Sequence, residues 1–319
     1  MVAMMQSIAL LMVGFVLLIK GADFFVEGSS SVARALRIPS MIVGLTIVAM
    51  GTSLPELAVS VTASVAGNNA LAVSNVIGSN LFNLMFVCGA CALFAPLIVQ
   101  KDTLKKEIPV SVLCAVLLFV LGISGMEIGR TDGVILLLLF IGFLVWMVRS
   151  ALKAHAAASS EAEDPSGEYK IYPAWKCALY IVGGAVAIKF GGDFVVDGAS
   201  AIAVKAGLSQ NLIGLTIVAM GTSLPEFVTS VVAARKNEVD MAFGNVIGSN
   251  IFNILFILGV TAAISPVAFI MENVVDSILL VLVSILVWVF AWSRLHIEKK
   301  EGVVLLALYA VYLMYICVR

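Results

Sequence analysis

The chain alternates long apolar stretches with short polar joints. An α-helix needs roughly 20 mostly apolar residues to cross a bilayer. On that basis the pattern predicts ten spanning helices, over about 6–25, 40–66, 70–97, 107–127, 131–150, 174–194, 209–234, 240–266, 273–293 and 301–318. The extended polar stretch 151–173, with Ser159, Ser160, Glu161, Glu163, Asp164, Pro165, Ser166 and Gly167, reads as a linker. It divides the helices five and five, giving units 1–150 and 174–319. The first apolar run, about Ile8 to Ile19, has no Lys or Arg before it, so it lacks the basic lead-in of a signal peptide and reads as the first spanning helix. The expected fold is an all-α membrane protein.

Shifted by 170 residues, the chain matches itself. Gly44–Glu56 reads GLTIVAMGTSLPE, as does Gly214–Glu226, and Asn75–Asn80 and Asn245–Asn250 both read NVIGSN. Between 44–83 and 214–253, 25 of 40 positions are identical without a gap. Gly21, Asp23, Phe24 and Gly28 likewise pair with Gly191, Asp193, Phe194 and Gly198. Five helices is an odd number, so the second copy must enter the membrane from the opposite side, which predicts an inverted-topology repeat with its site near the midplane. Identity concentrates on polar residues inside apolar helices, which a purely structural duplication does not explain.

Composition agrees with the bilayer reading: 61 % of residues are hydrophobic and 12 % charged, against about half and a quarter in soluble chains. The net charge of −1 excludes the basic patch that nucleic acid requires. Positive charge stays cytoplasmic. With the N-terminus outside, fifteen of the 19 Lys and Arg residues fall inside, leaving Arg130, Lys189, Lys205 and Arg319 outside. Both termini are therefore expected outside the plasma membrane, with the 151–173 linker cytoplasmic. Cys88, Cys91, Cys114, Cys177 and Cys317 lie in or beside apolar runs and read as small helix residues. His155 and His296 fall in polar connections.

The repeated segments carry the chemistry. In Met50-Gly51-Thr52-Ser53-Leu54-Pro55-Glu56, Pro55 cannot donate a backbone hydrogen bond and crowds the carbonyl of Gly51. The helix should kink there and free carbonyl oxygens, which are costly in hydrocarbon unless satisfied. A cation satisfies them. Thr52 and Ser53 add hydroxyls and Glu56 a carboxylate; Gly221, Thr222, Ser223, Pro225 and Glu226 repeat the set. A carboxylate at mid-bilayer costs ~3 kcal/mol on insertion scales, so two at equivalent places mark function. In Gly78-Ser79-Asn80-Leu81-Phe82-Asn83 and its copy Gly248–Asn253, Ser79 and Asn83 share a helix face, as do Ser249 and Asn253. These four read as ion contacts. Asn80 and Asn250 are secondary candidates, with interhelical hydrogen bonding as their other reading. Asp23, Glu27, Asp193 and Asp197 sit near predicted helix ends and read as interfacial, with ion entry or exit as their other reading. An all-oxygen donor set is hard-cation chemistry, without the His or Cys that zinc and copper prefer. Two carboxylates balance one Ca²⁺, and the same oxygens suit Na⁺.

The paired GTSLPE and GSNxFN segments resemble the α-repeats of the sodium/calcium exchanger family, part of the wider cation/calcium antiporters. The likeness covers essentially the whole chain and is to the compact prokaryotic form. It implies that Glu56 and Glu226 ligate calcium centrally. Thr52, Ser53, Ser79, Thr222, Ser223 and Ser249 would add sodium and calcium oxygens, joined by the carbonyls of Ala49 and Ala219. Asn83 and Asn253 match the remaining polar position of each half. Some members carry Asp at the position of Asn253, so the formal site charge here is −2 rather than −3, which leaves sodium stoichiometry and potassium dependence open. The resemblance also implies alternating access, with helices 6–25 and 174–194 sliding against the other eight.

The expected function is exchange of Na⁺ for Ca²⁺, with no cofactor and no obligate protein partner. The alternatives are a proton-coupled or potassium-dependent divalent antiporter, a channel, and an intramembrane enzyme. For the last, no His/Asp/Ser or HExxH constellation occurs.

Overall fold

The structure, a computed structural model, describes residues 2–66, 69–160, 171–207, 217 and 219–318. Within them the chain is helical apart from short joints. Eight helices are long and apolar enough to cross a membrane: α1 (Val2–Ala35), α4 (Leu71–Phe94), α5 (Lys101–Gly125), α6 (Arg130–Ser160), α7 (Ala174–Lys205), α9 (Val239–Ile264), α10 (Met271–Arg294) and α11 (Lys299–Val318). A further span is broken into α2 (Ser40–Thr52) and α3 (Leu54–Val65), bent by 47°. The start of the span predicted over 209–234, including Gly214, lies outside the described residues. Its described part is a turn at Ala219–Gly221 followed by α8 (Leu224–Arg235).

The two halves open alike, on a helix longer than hydropathy alone predicts. α1 runs ten residues past its predicted end and α7 eleven past its own. Segment 26–35 of α1 contains no Pro, and its Ser29, Ser30 and Ser31 are buried in protein rather than left to lipid. Asp23, Glu27, Asp193 and Asp197, expected near helix ends, therefore lie inside helices. α6 also continues through the first ten residues of the predicted linker, so His155 is helical and its ring meets the Leu36 carbonyl at 2.6 Å. Residues 161–170 lie outside the described part.

α1 and α7 run antiparallel along a seam of small residues. Gly14 faces Gly191, Gly21 faces Gly184, Ser7 faces Gly198 and Gly28 faces Cys177, each seven residues from the next. A seven-residue repeat keeps one face of a helix on its partner, and small residues let two backbones approach closely in a membrane. A methyl at Gly191 would sit 2.6 Å from the Leu18 nitrogen and 2.9 Å from the Gly14 oxygen.

Elsewhere the halves contact each other reciprocally. Strand β1 (Leu97–Ile98) pairs with β4 (His296–Ile297), and β2 (Glu127–Ile128) with β3 (Val267–Ala268). Each pair joins the end of a core helix in one half to the last hairpin of the other. Met126 and Leu295, both at left-handed φ, close the turns, and their carbonyls accept the Phe269 and Val99 N–H groups at 2.9 and 2.8 Å. α4 and α9 form the buried centre and carry many of the large buried apolar side chains, such as Phe243, Ile77 and Met85. Cys88, Cys91, Cys114 and Cys177 are buried as free thiols, and Cys317 is exposed.

Candidate ion-binding site

The break predicted at Pro55 falls at Ser53, which leaves the helical region (φ −85°, ψ 12°) between α2 and α3. Pro55 then occupies the first turn of α3, where its missing N–H is no loss. Ser223, at φ −93° and ψ 6°, repeats the geometry before α8. Each break puts a Glu in the first turn of the following helix, next to its unpaired N–H groups and positive dipole end. Glu56 and Glu226 are 0 % and 1 % exposed.

The carboxylates come together across the halves. Ser53 donates to Glu226 Oε1 at 2.7 Å, and Ser223 donates to Glu56 Oε1 at 2.9 Å. In each case the second oxygen, Glu56 Oε2 or Glu226 Oε2, is buried with no hydrogen-bond partner. Ser79 Oγ, Thr222 Oγ1, Asn83 Oδ1 and Asn253 Oδ1 are buried and unpartnered as well. Native structures rarely leave such oxygens unsatisfied without a role for them. Six of these orphans belong to residues that the repeats had singled out, and all can donate a lone pair to a hard cation.

Asn80 and Asn250 have the other role considered for them. Each donates to the backbone carbonyl of the other, at 3.2 and 3.3 Å. Their side-chain oxygens accept the amides of Asn253 and Asn83, at 3.0 and 3.2 Å. This leaves the oxygens of Asn83 and Asn253 as the unpartnered ends. Thr52 is buried and donates to the Val48 carbonyl at 3.1 Å, and Ser249 reaches Asn245 Oδ1 at 3.5 Å. The Ala49 carbonyl accepts the Ser53 N–H at 3.1 Å. Ala219 opens the turn before Thr222.

Asn75 and Asn245 belong to the site's support, although the sequence reading gave them no role. Asn75 donates to Ser60 at 3.0 Å and Asn245 to Ser230 at 2.8 Å. They also reach the carbonyls of Glu56 and Glu226, at 3.5 and 3.3 Å. Their signal was in view, since each is the first residue of NVIGSN. Its partner serines lie fifteen residues earlier, and no local pattern links them. The core helices also contain wide turns at Gly44–Val48, Phe82–Val87 and Asn253–Ile257, a feature common at functional sites.

A cavity of about 310 Å³ lies at the two helix breaks, lined by Pro55, Thr222 and Pro225, neighbours of the two glutamates in the chain, and by Lys189, Asp193 and Asp197 of α7. The equivalent acids of α1, Asp23 and Glu27, also meet lysines, with Lys20 Nζ 3.9 Å from Asp23 Oδ2. Lys236, at the end of α8, approaches Asp23 Oδ1 at 3.4 Å and Glu27 Oε2 at 3.7 Å, and Tyr172 bonds Glu27. Arg34 pairs with Glu238 beside them.

Two buried acids and the oxygens around them, between broken helices of a multi-pass membrane protein, are chemistry suited to a cation transporter. The comparisons narrow the class. A family profile described as sodium/calcium exchanger protein matches residues 6–149 and 176–318, and the chain belongs to that family. The sodium/calcium exchanger MaX1 of Methanosarcina acetivorans is 30 % identical over 343 aligned positions, covering 96 % of this chain and 97 % of the relative. The inner membrane protein YrbG of Escherichia coli is 37 % identical over 270, covering 82 % and 81 %. A solved structure of the sodium–calcium exchanger NCX_Mj, soaked with 10 mM Na⁺ and 10 mM Sr²⁺, superposes with a TM-score of 0.83 at 34 % identity, covering 96 % and 97 %. The chain is a membrane cation/Ca²⁺ antiporter, not an enzyme.

Proposed function

We propose that this chain exchanges Na⁺ for Ca²⁺ by alternating access, with both ions competing for the cage between Glu56 and Glu226. The observation that carries the reading is the set of six unpartnered buried oxygens on the two carboxylates, Ser79, Thr222, Asn83 and Asn253. Two negative charges in a low-dielectric interior resist occlusion unless cations cancel them. The protein therefore switches sides loaded with either ion and stays put when empty. Thr52, Ser53, Ser223 and Ser249, with the carbonyls of Ala49 and Ala219, complete the donor set. Units 1–150 and 174–319 form the inverted halves, joined through 151–173 on the cytoplasmic side, with both termini outside the plasma membrane. The antiparallel run of α1 against α7 supports the inversion, since these helices are mates in the repeat.

The deciding experiment is ⁴⁵Ca²⁺ uptake into proteoliposomes loaded with Na⁺, compared with Li⁺, K⁺ and an imposed pH gradient. Uptake should follow the sodium gradient and be at least tenfold weaker with the others. A pH gradient that drives calcium as well as sodium does would establish proton coupling instead.

Ser53→Ala and Ser223→Ala test the cage wall. Each removes a hydroxyl held by the opposite carboxylate. A hydrogen bond to a charged group contributes about 1.5–3 kcal/mol, so half-saturation for Ca²⁺ should rise roughly tenfold or more. The reciprocal geometry predicts similar factors for the two variants. A change under twofold in both would remove these hydroxyls from the site.

A further inference from the structure

The cavity between the two helix breaks and α7 has a mixed-charge wall. Lys189 Nζ lies 2.5 Å from Asp193 Oδ2, one helical turn on, and Asp197 follows one turn later. Lys189 and Asp193 are each about two-fifths exposed, at 44 % and 41 % of the side chain, and both line the cavity. Counted together, the three charges sum to −1. The lysine itself is not matched in the repeat: its counterpart in the first half is Ile19, with Lys20 one position on and 3.9 Å from Asp23, the match of Asp193. The equivalent acids of α1 meet Lys236, which belongs to the other half and whose own counterpart is Ala66. Asp193 and Asp23 are also far apart. Opposed residues of α1 and α7 sum to 205 (14 and 191, 21 and 184), which puts Asp193 level with position 12 of α1. That is 11 residues from Asp23, or about 16 Å along the helix.

We propose that Lys189 is a specificity-determining residue of the ion mouth: by neutralising Asp193 it limits the preference for divalent over monovalent cations. The inference rests on the exchange reading above. A fixed charge near the path changes the local potential, and an ion responds in proportion to its own charge. Removing the lysine strengthens the field for Ca²⁺ twice as much, in free energy, as for Na⁺. The factor for calcium is then the square of the factor for sodium. Because both groups are exposed, salt screens the effect.

The test is equilibrium ⁴⁵Ca²⁺ binding, with displacement by Na⁺, to the purified full chain at low ionic strength and again in 0.5 M choline chloride. For K189Q, half-saturation by Ca²⁺ should fall roughly three- to tenfold and that by Na⁺ about two- to threefold, both differences shrinking in choline chloride. D193N should shift both in the opposite direction, and K189R should match wild type. The opposite signs separate a field effect from a structural one, since K189Q and D193N break the same ion pair. If both variants move affinity the same way, or if Ca²⁺ and Na⁺ shift by equal factors, the inference is overturned. Wild-type binding with K189Q unchanged sinks this inference alone. A wild-type chain that binds neither ion sinks the exchange reading and this inference with it.

Discussion

Glu56→Gln and Glu226→Gln each abolish sodium-driven ⁴⁵Ca²⁺ uptake, to below about one hundredth of wild type. The side chains are 0 % and 1 % exposed, and glutamine keeps their shape and can still accept the serine hydroxyl at 2.7 or 2.9 Å. What changes is charge. With one acid gone, bound Ca²⁺ leaves a net positive charge in a water-poor interior, and breaking a buried charge pair costs about 3–5 kcal/mol. A loss of 3 kcal/mol is already more than a hundredfold in binding. The break at Ser53 or Ser223 does not depend on the carboxylate, so both variants should still insert and purify. Normal flux in either variant would refute the site. Loss in one alone would mean that the halves contribute unequally.

The second large effect is on assembly. Gly191→Ala should lower the melting temperature of the detergent-solubilised chain by roughly 5 °C or more and impair transport with it. The new methyl would meet backbone atoms, the Leu18 nitrogen at 2.6 Å and the Gly14 oxygen at 2.9 Å. Backbone cannot rotate away as a side chain can, so α1 and α7 must separate along the seam. Overpacking of this kind costs about 1–3 kcal/mol, and each kcal/mol moves the melting point of a larger domain by roughly 2–4 °C. Gly183→Ala is the matched control: it lies in the same helix, with nothing within 4 Å of the added methyl. A melting point for Gly191→Ala equal to that of the control would mean that the seam is looser than its geometry implies.

Much of this architecture was written locally. Apolar runs long enough to span a bilayer can be read without a fold, because each helix satisfies its own backbone hydrogen bonds. The Pro55 and Pro225 breaks are local too, and so is the cost of placing Glu beside them. The exchanger family followed from the same motifs. The ends of α1 and α7 were less legible: a hydropathy window stops at Asp23 and Asp193, whereas the helices continue because serines and acids there are covered by protein or face the cavity. The wide turns at Phe82–Val87 and Asn253–Ile257 left no mark in the pattern either.

By itself the sequence determined the helices, the duplicated unit, the two acids and the oxygen chemistry around them, because periodicity, proline and buried charge act over a few residues. Only the tertiary structure decided the partners. Ser53 reaches the glutamate of the other half rather than its own. Asn80 and Asn250 bind each other and so orient Asn253 and Asn83. Lys236 of the second half reaches Asp23 and Glu27 of the first. These pairings join residues some 170 positions apart, and their geometry comes from how the two halves dock, for which no short stretch of chain carries a signal.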